Sequence, residues 1–79
     1  VAQRSAAHGS LGRAIRAARV NRQYSQEELS HRSGLHRTYV GGLERGERNP
    51  TFEGLRKLAD ALDMSASDLL AEGEQLESL

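Results

Sequence analysis

Seventy-nine residues, 37% hydrophobic and 28% charged, make one small globular domain and exclude a second, since single domains run from about 50 to 250 residues. The longest apolar run, Leu69-Leu70-Ala71, is far below the roughly 18 residues that span a bilayer; the first ten residues lack the apolar stretch of a secretory signal, and without cysteine no disulfide or thiolate metal site can form. Formal charge is zero, which as a total argues against a polyanion partner, yet residues 1–50 set nine arginines against Glu27, Glu28, Glu44 and Glu47 while residues 51–79 carry −5.

In chain order, residues 1–10 have no apolar periodicity and end in Gly9-Ser10, so a flexible N-terminal arm is expected. Leu11, Ala14, Ile15 and Ala18 recur at i, i+3, i+4 and i+7, which predicts an amphipathic helix over about residues 11–22. Ser25-Gln26-Glu27-Glu28 has the S-x-x-E form of a capping box, in which serine and glutamate satisfy each other's free amides, and a short helix over about 26–32 follows with Leu29 inward. Ser33-Gly34-Leu35 then turns the chain sharply. His36 to Arg45 reads as a third helix with Val40 and Leu43 inward, although Gly41-Gly42 costs it about 1 kcal/mol per glycine in propensity. Thr51 caps a fourth helix along Leu55, Leu58, Ala59 and Leu62, and Ser65 begins a second S-x-x-[DE] cap before a short fifth helix at Leu69-Leu70. No strand pattern, repeat or low-complexity stretch appears, so an all-α fold is expected, with the domain over 11–72 and a C-terminal tail over 73–79.

Two short helices joined by a glycine turn have the dimensions of a helix-turn-helix unit. Ser25-Gln26-Glu27-Glu28-Leu29, Ser33-Gly34-Leu35, Thr38-Tyr39-Val40, Leu43-Glu44-Arg45-Gly46 and Arg48-Asn49-Pro50 go further. They resemble the lambda-repressor-like, XRE-type five-helix family of DNA-binding domains, over about residues 10–72. His36 to Gly46 is most similar to the small controller proteins of restriction-modification systems, which are dimeric transcriptional regulators.

The resemblance implies a division of labour. Helix 36–45 would lie in the DNA major groove and helix 26–32 would cross the backbone. Arg37 would read base edges, arginine being suited to guanine, with a phosphate contact or a solvated helix start as the plainer alternative. Thr38 fits a thymine methyl or a helix cap equally well. Gln26 would hold a backbone phosphate at its helix N-terminus, Tyr39 would donate its hydroxyl to a phosphate or simply pack, and Arg45 and Arg48 would grip phosphates from the following loop. Gly41 and Gly42 depart from phage-type repressors. They imply either close backbone approach to the groove or avoidance of another helix. Arg19 and Glu44 occupy the positions of an internal ion pair, and Gln23 stands where many relatives have a helix-ending glycine.

The resemblance also implies a homodimer on a palindromic operator, with Leu69, Leu70, Leu76 and Leu79 as candidates for the seam; alternatively Leu69 and Leu70 close the monomer core. An acidic contact from Glu27 to RNA polymerase is a further implication, a salt bridge to a neighbouring arginine its plain counterpart. No enzyme, cofactor or metal site is expected. His31 and His36 are separated by the glycine turn and cannot share a helix face, Asp60, Asp63 and Asp68 lack the loop of a calcium site, and the glycines fit no phosphate-cradling motif. The competing functional class is an antitoxin or helical protein-interaction module whose DNA binding is secondary or absent, which the arginines beside the third helix disfavour.

Overall fold

The structure, a computed structural model, describes residues 6–78. It contains five helices, α1 (Ala6–Asn21), α2 (Gln26–Ser33), α3 (Arg37–Glu44), α4 (Phe52–Ala61) and α5 (Ala66–Ser78), and no strand among the described residues. None of them is long and apolar enough to cross a membrane. Three of the four predicted caps form as side-chain acceptors of backbone amides: Ser25 takes Glu28 N at 3.0 Å, Thr51 takes Gly54 N at 2.9 Å and Ser65 takes Asp68 N at 3.0 Å. The fourth candidate, Thr38, lies inside α3, whose N-cap is His36 with no capping side chain. The capping box at Ser25 is only half made, because the Glu28 carboxylate turns to Arg32 Nε at 2.7 Å.

Two boundaries differ from the sequence expectation. The expected arm is helical from Ala6 onward, and residues 1–5 lie outside the described residues. The cause is tertiary. Ser10 is buried, and Gly9 sits against Gly46, where a Cβ would lie 3.0 Å from Gly9 Cα. The expected tail is likewise helical through Ser78, because Gly73 permits α5 to lie close on α1, with Leu11 Cα 3.2 Å from where a Cβ would stand.

The core draws on every helix: Ala14, Ile15 and Ala18 from α1, Leu29 from α2, Val40 and Leu43 from α3, Leu55, Leu58 and Ala59 from α4, then Leu62 and Leu69. Burying an aliphatic side chain contributes about 1.5–3 kcal/mol, and this cluster is what holds α3 helical against its two glycines. α1 leaves its last turn through Gln23 at φ 60°. A non-glycine residue pays about 1–2 kcal/mol in that left-handed conformation. Glycine would remove this strain but gain freedom in the unfolded chain, so Gln23→Gly should stabilise the protein by about 0.5–1 kcal/mol. A urea melt with no rise in midpoint would show that the Gln23 side chain offsets its own strain.

Candidate nucleic-acid interface

The α2–α3 corner is built from short-range bonds. Gly34, at φ 76°, ends α2 with its amide on Ser30 O at 2.9 Å. Ser33 Oγ donates to Ser30 O and accepts from Leu35 N at 3.2 Å, while Ser30 Oγ donates to Leu35 O. The two serines thus satisfy the free polar groups of the turn from within, and Leu29 and Val40 anchor the helices beneath it. At the other end of α3, Gly46 at φ 74° lets Glu47 N return to Gly42 O at 2.9 Å.

A buried polar network fixes α3 to α1. Arg19 Nε lies 2.6 Å from Glu44 Oε2 and Nη2 lies 3.0 Å from Oε1, a bidentate pair whose side chains are only 12% and 3% exposed. Arg19 Nη1 donates to Tyr24 O at 2.9 Å, and Gln26 Nε2 donates to Glu44 Oε1 at 3.0 Å. Hydrogen bonding to Glu44 raises the Arg19 pKa, outweighing the opposing effect of burial. Because the raised value applies to a base, the stabilisation linked to Arg19 protonation is fully present at neutral pH and falls away only as pH rises through the arginine range.

On the opposite side, α3 presents a strip to solvent. Arg37 and Thr38 are exposed on its first turn. One turn further on, Gly41 and Gly42 carry no side chain and are buried, covered chiefly by arginine side chains, with Gln26 of α2 beside Gly41. A Cβ at Gly41 would meet Arg45 Nη1 at 3.0 Å and Gln26 Oε1 at 3.5 Å; one at Gly42 would meet Arg48 Cδ at 3.0 Å. Arginines from beyond the helix thus fold over the glycine strip. Arg45 pairs with Glu47 at 3.0 Å in an exposed contact, and the Arg48 guanidinium stands 6.0 Å from the Tyr39 ring centroid. The Tyr39 ring is half-buried, and its hydroxyl is directed at Gly54 in the first turn of α4. Arg37, Thr38, Gln26, Tyr39, Arg45 and Arg48 therefore border one face, rich in donors and in positive charge, suited to a polyanion.

The remaining sequence candidates separate. Leu69 is fully buried in the monomer core, so its expected place at a dimer seam is corrected. Leu70, its chain neighbour, points the other way and is 44% exposed. Leu76 packs partly buried in a groove between α1 and α5 beside Ala14 and Ala17, and Leu79 lies outside the described residues. Glu27 is exposed and makes no ion pair with a described residue; its neighbour Glu28 holds Arg32 instead. No group of three or more metal-ligating side chains occurs among the described residues.

A family model described as helix-turn-helix matches residues 15–69. Control protein C.SmaI from Serratia marcescens is 48% identical over 60 residues, spanning 76% of this chain and 71% of that protein. The chain belongs to the helix-turn-helix family of control proteins. Among solved structures, the restriction-modification controller protein C.AhdI from Aeromonas hydrophila superposes with a TM-score of 0.81 at 43% identity, covering 82% of this chain and 98% of that one. The controller C.Esp1396I, solved as a tetramer on its natural 35 base-pair operator, superposes with a TM-score of 0.86 at 27% identity, covering 95% of this chain and 99% of that one.

In this helix-turn-helix control protein, Gly12, Ser30 and Phe52 have structural roles that sequence periodicity does not announce. Gly12 lies inside α1, where a Cβ would stand 2.3 Å from Leu43 O and 2.7 Å from Glu44 O, so the close approach of α1 to α3 depends on it. A glycine inside a strong helical pattern is the available signal, since it costs about 1 kcal/mol relative to alanine unless packing requires it. Ser33 carries the corner by the local turn bonds that serine makes two residues on and three back, and Ser30 by a bond to the Leu35 carbonyl that local spacing does not announce. Phe52 is 72% exposed at the start of α4 with the Arg56 guanidinium 5.9 Å from its ring, an apolar surface that the periodicity of α4 does not announce.

Proposed function

We propose that this protein is a sequence-specific DNA-binding transcriptional regulator, a restriction-modification controller acting as a homodimer on a palindromic operator. The observation that carries this reading is the outer face of α3: an exposed Arg37 and Thr38, followed one turn on by Gly41 and Gly42 and bordered by Gln26, Tyr39, Arg45 and Arg48. The operator-bound tetramer of C.Esp1396I, which shares the fold, supports it. Arg37 and Thr38 read base edges in the major groove; Gln26, Tyr39, Arg45 and Arg48 hold the backbone and set the register. The reading assigns no catalytic step.

Binding to the DNA upstream of the protein's own gene, followed by gel shift at rising salt, tests the reading. Arg45 and Arg48 of two subunits would neutralise about four phosphates, giving a log-log salt slope of about −4. Absence of any shift with that DNA would return the protein to the class of interaction modules. Within the complex, Arg37→Ala should cost about 1–3 kcal/mol and relax discrimination at one base pair per half-site, measured by competition with single-base operator variants. Uniform weakening across all variants would make Arg37 a phosphate contact.

The seam of the dimer is assigned to Leu70 and, from the α1–α5 groove, Leu76. Leu70→Ala should raise the dimer dissociation constant about tenfold, as removal of a central apolar contact does. Sedimentation equilibrium reads this directly, and an unchanged constant places the seam elsewhere. Glu27, exposed beside the backbone-crossing helix, is assigned to RNA polymerase contact; in vitro transcription with Glu27→Ala checks it, unchanged activation removing the assignment.

A further inference from the structure

Glu44 lies on the buried side of α3, yet it reaches a residue on the exposed face. Its Oε1 accepts from both Arg19 Nη2 and Gln26 Nε2, each at 3.0 Å. Only the amino end of a carboxamide can face a carboxylate, so the Gln26 side chain is held in one of its two orientations. Its Oε1 then borders the space above Gly41, which Arg45 Nη1 borders from the other side. One hydrogen of Nε2 is bound to Glu44, and the second remains available as a donor. Arg19 lies bidentate against the same carboxylate and compensates the charge that Gln26 faces.

From this geometry we infer that Glu44 is a positioning residue for DNA binding: it sets the Gln26 carboxamide so that its second amide hydrogen meets a backbone phosphate beside Gly41. The Arg19–Glu44 pair thereby presets a donor on the DNA-facing side, in addition to joining α1 to α3. Preorganising the amide lowers the ordering cost when the phosphate arrives. The inference rests on the proposed role of Gln26 as a backbone contact.

The test uses the full chain and operator DNA, with the double variant Arg19→Met/Glu44→Leu. Exchanging both ionic partners for apolar residues of similar size spares the fold the stranded charge that a single substitution leaves, and circular dichroism verifies folding. The double variant should lose about tenfold in affinity, matching Gln26→Ala, and adding Gln26→Ala to it should cause no further loss. Ethylation interference should lose its signal at the same single phosphate per half-site in all three proteins. A folded double variant that binds like wild type, or losses that add in the triple variant, would overturn the inference. If Gln26→Ala itself changes neither affinity nor interference, the backbone role of Gln26 fails, an outcome separable from failure of Glu44 alone. Should the double variant not fold, NMR of the wild-type protein decides: the two Gln26 amide hydrogens should be resolved, one of them exchanging slowly, whereas a pair behaving like a solvent-exposed amide contradicts the hydrogen bond.

Discussion

Glu44→Ala is expected to lower the stability of the domain by about 3–5 kcal/mol, a large share of the roughly 5–15 kcal/mol that domains possess. The loss follows from what the substitution leaves behind. Arg19 is only 12% exposed and would keep its charge, because no accessible pH removes it, while its Nε and Nη2 would lose both acceptors. Gln26 Nε2 would lose its acceptor as well. The measurement is a urea melt at neutral pH. If Glu44→Ala shifted the folding free energy by less than about 1 kcal/mol, water must reach Arg19 freely and the pair belongs with exposed ones such as Arg45–Glu47, which contribute about 0–1 kcal/mol. The magnitude is the penalty for breaking the pair; the net contribution of the intact pair is smaller, because burying both charges carries its own cost.

The second large effect is at Gly12, where two principles predict opposite signs. Intrinsic propensity says that Gly12→Ala, inside a 16-residue helix, should stabilise by about 1 kcal/mol. Packing says otherwise. The added Cβ would stand 2.3 Å from the Leu43 carbonyl oxygen and 2.7 Å from that of Glu44, both backbone atoms that no rotamer change can move. α1 and α3 would have to separate, loosening Ile15 and Val40 in the core and lengthening the Arg19–Glu44 contacts. Overpacking typically costs about 1–3 kcal/mol, and a backbone clash belongs at the upper end, so a net loss of about 3 kcal/mol is expected. For a domain of this size that lowers the melting temperature by more than about 10 °C. A melting temperature that rises would mean that the helices part without cost.

What the sequence disclosed and what it concealed divide along the range of the interactions. Ser25, Thr51 and Ser65 were legible as caps because each bonds an amide three residues away. The apolar positions of α1 and α4 were legible because the helical period places them on one face. Concealed were features decided by residues far apart in the chain. The start of α1 at Ala6 depends on Gly46, the extension of α5 past Gly73 on Leu11, and the need for glycine at position 12 on carbonyls of α3. Leu69 and Leu70 are indistinguishable by hydrophobicity, and only the docking of α5 sends one into the core and the other to the surface. At the candidate interface the charged residue types were evident, whereas the folding of Arg45 and Arg48 over Gly41 and Gly42 required the turn at Gly46 to be known.

The packing of α5 on α1 has a consequence for the order of events during synthesis. α1 emerges from the ribosome first, but the wall it leans on, from Leu69 to Gly73, emerges some fifty residues later. The α2–α3 corner needs only neighbours and can form early, since local contacts close quickly and distant ones slowly. Its attachment to α1 through Arg19 and Glu44 can follow as soon as α3 is complete, whereas α1 gains its second wall only with α5. A nascent chain thus carries α1 with one side uncovered until translation has passed Gly73, and the domain closes only then.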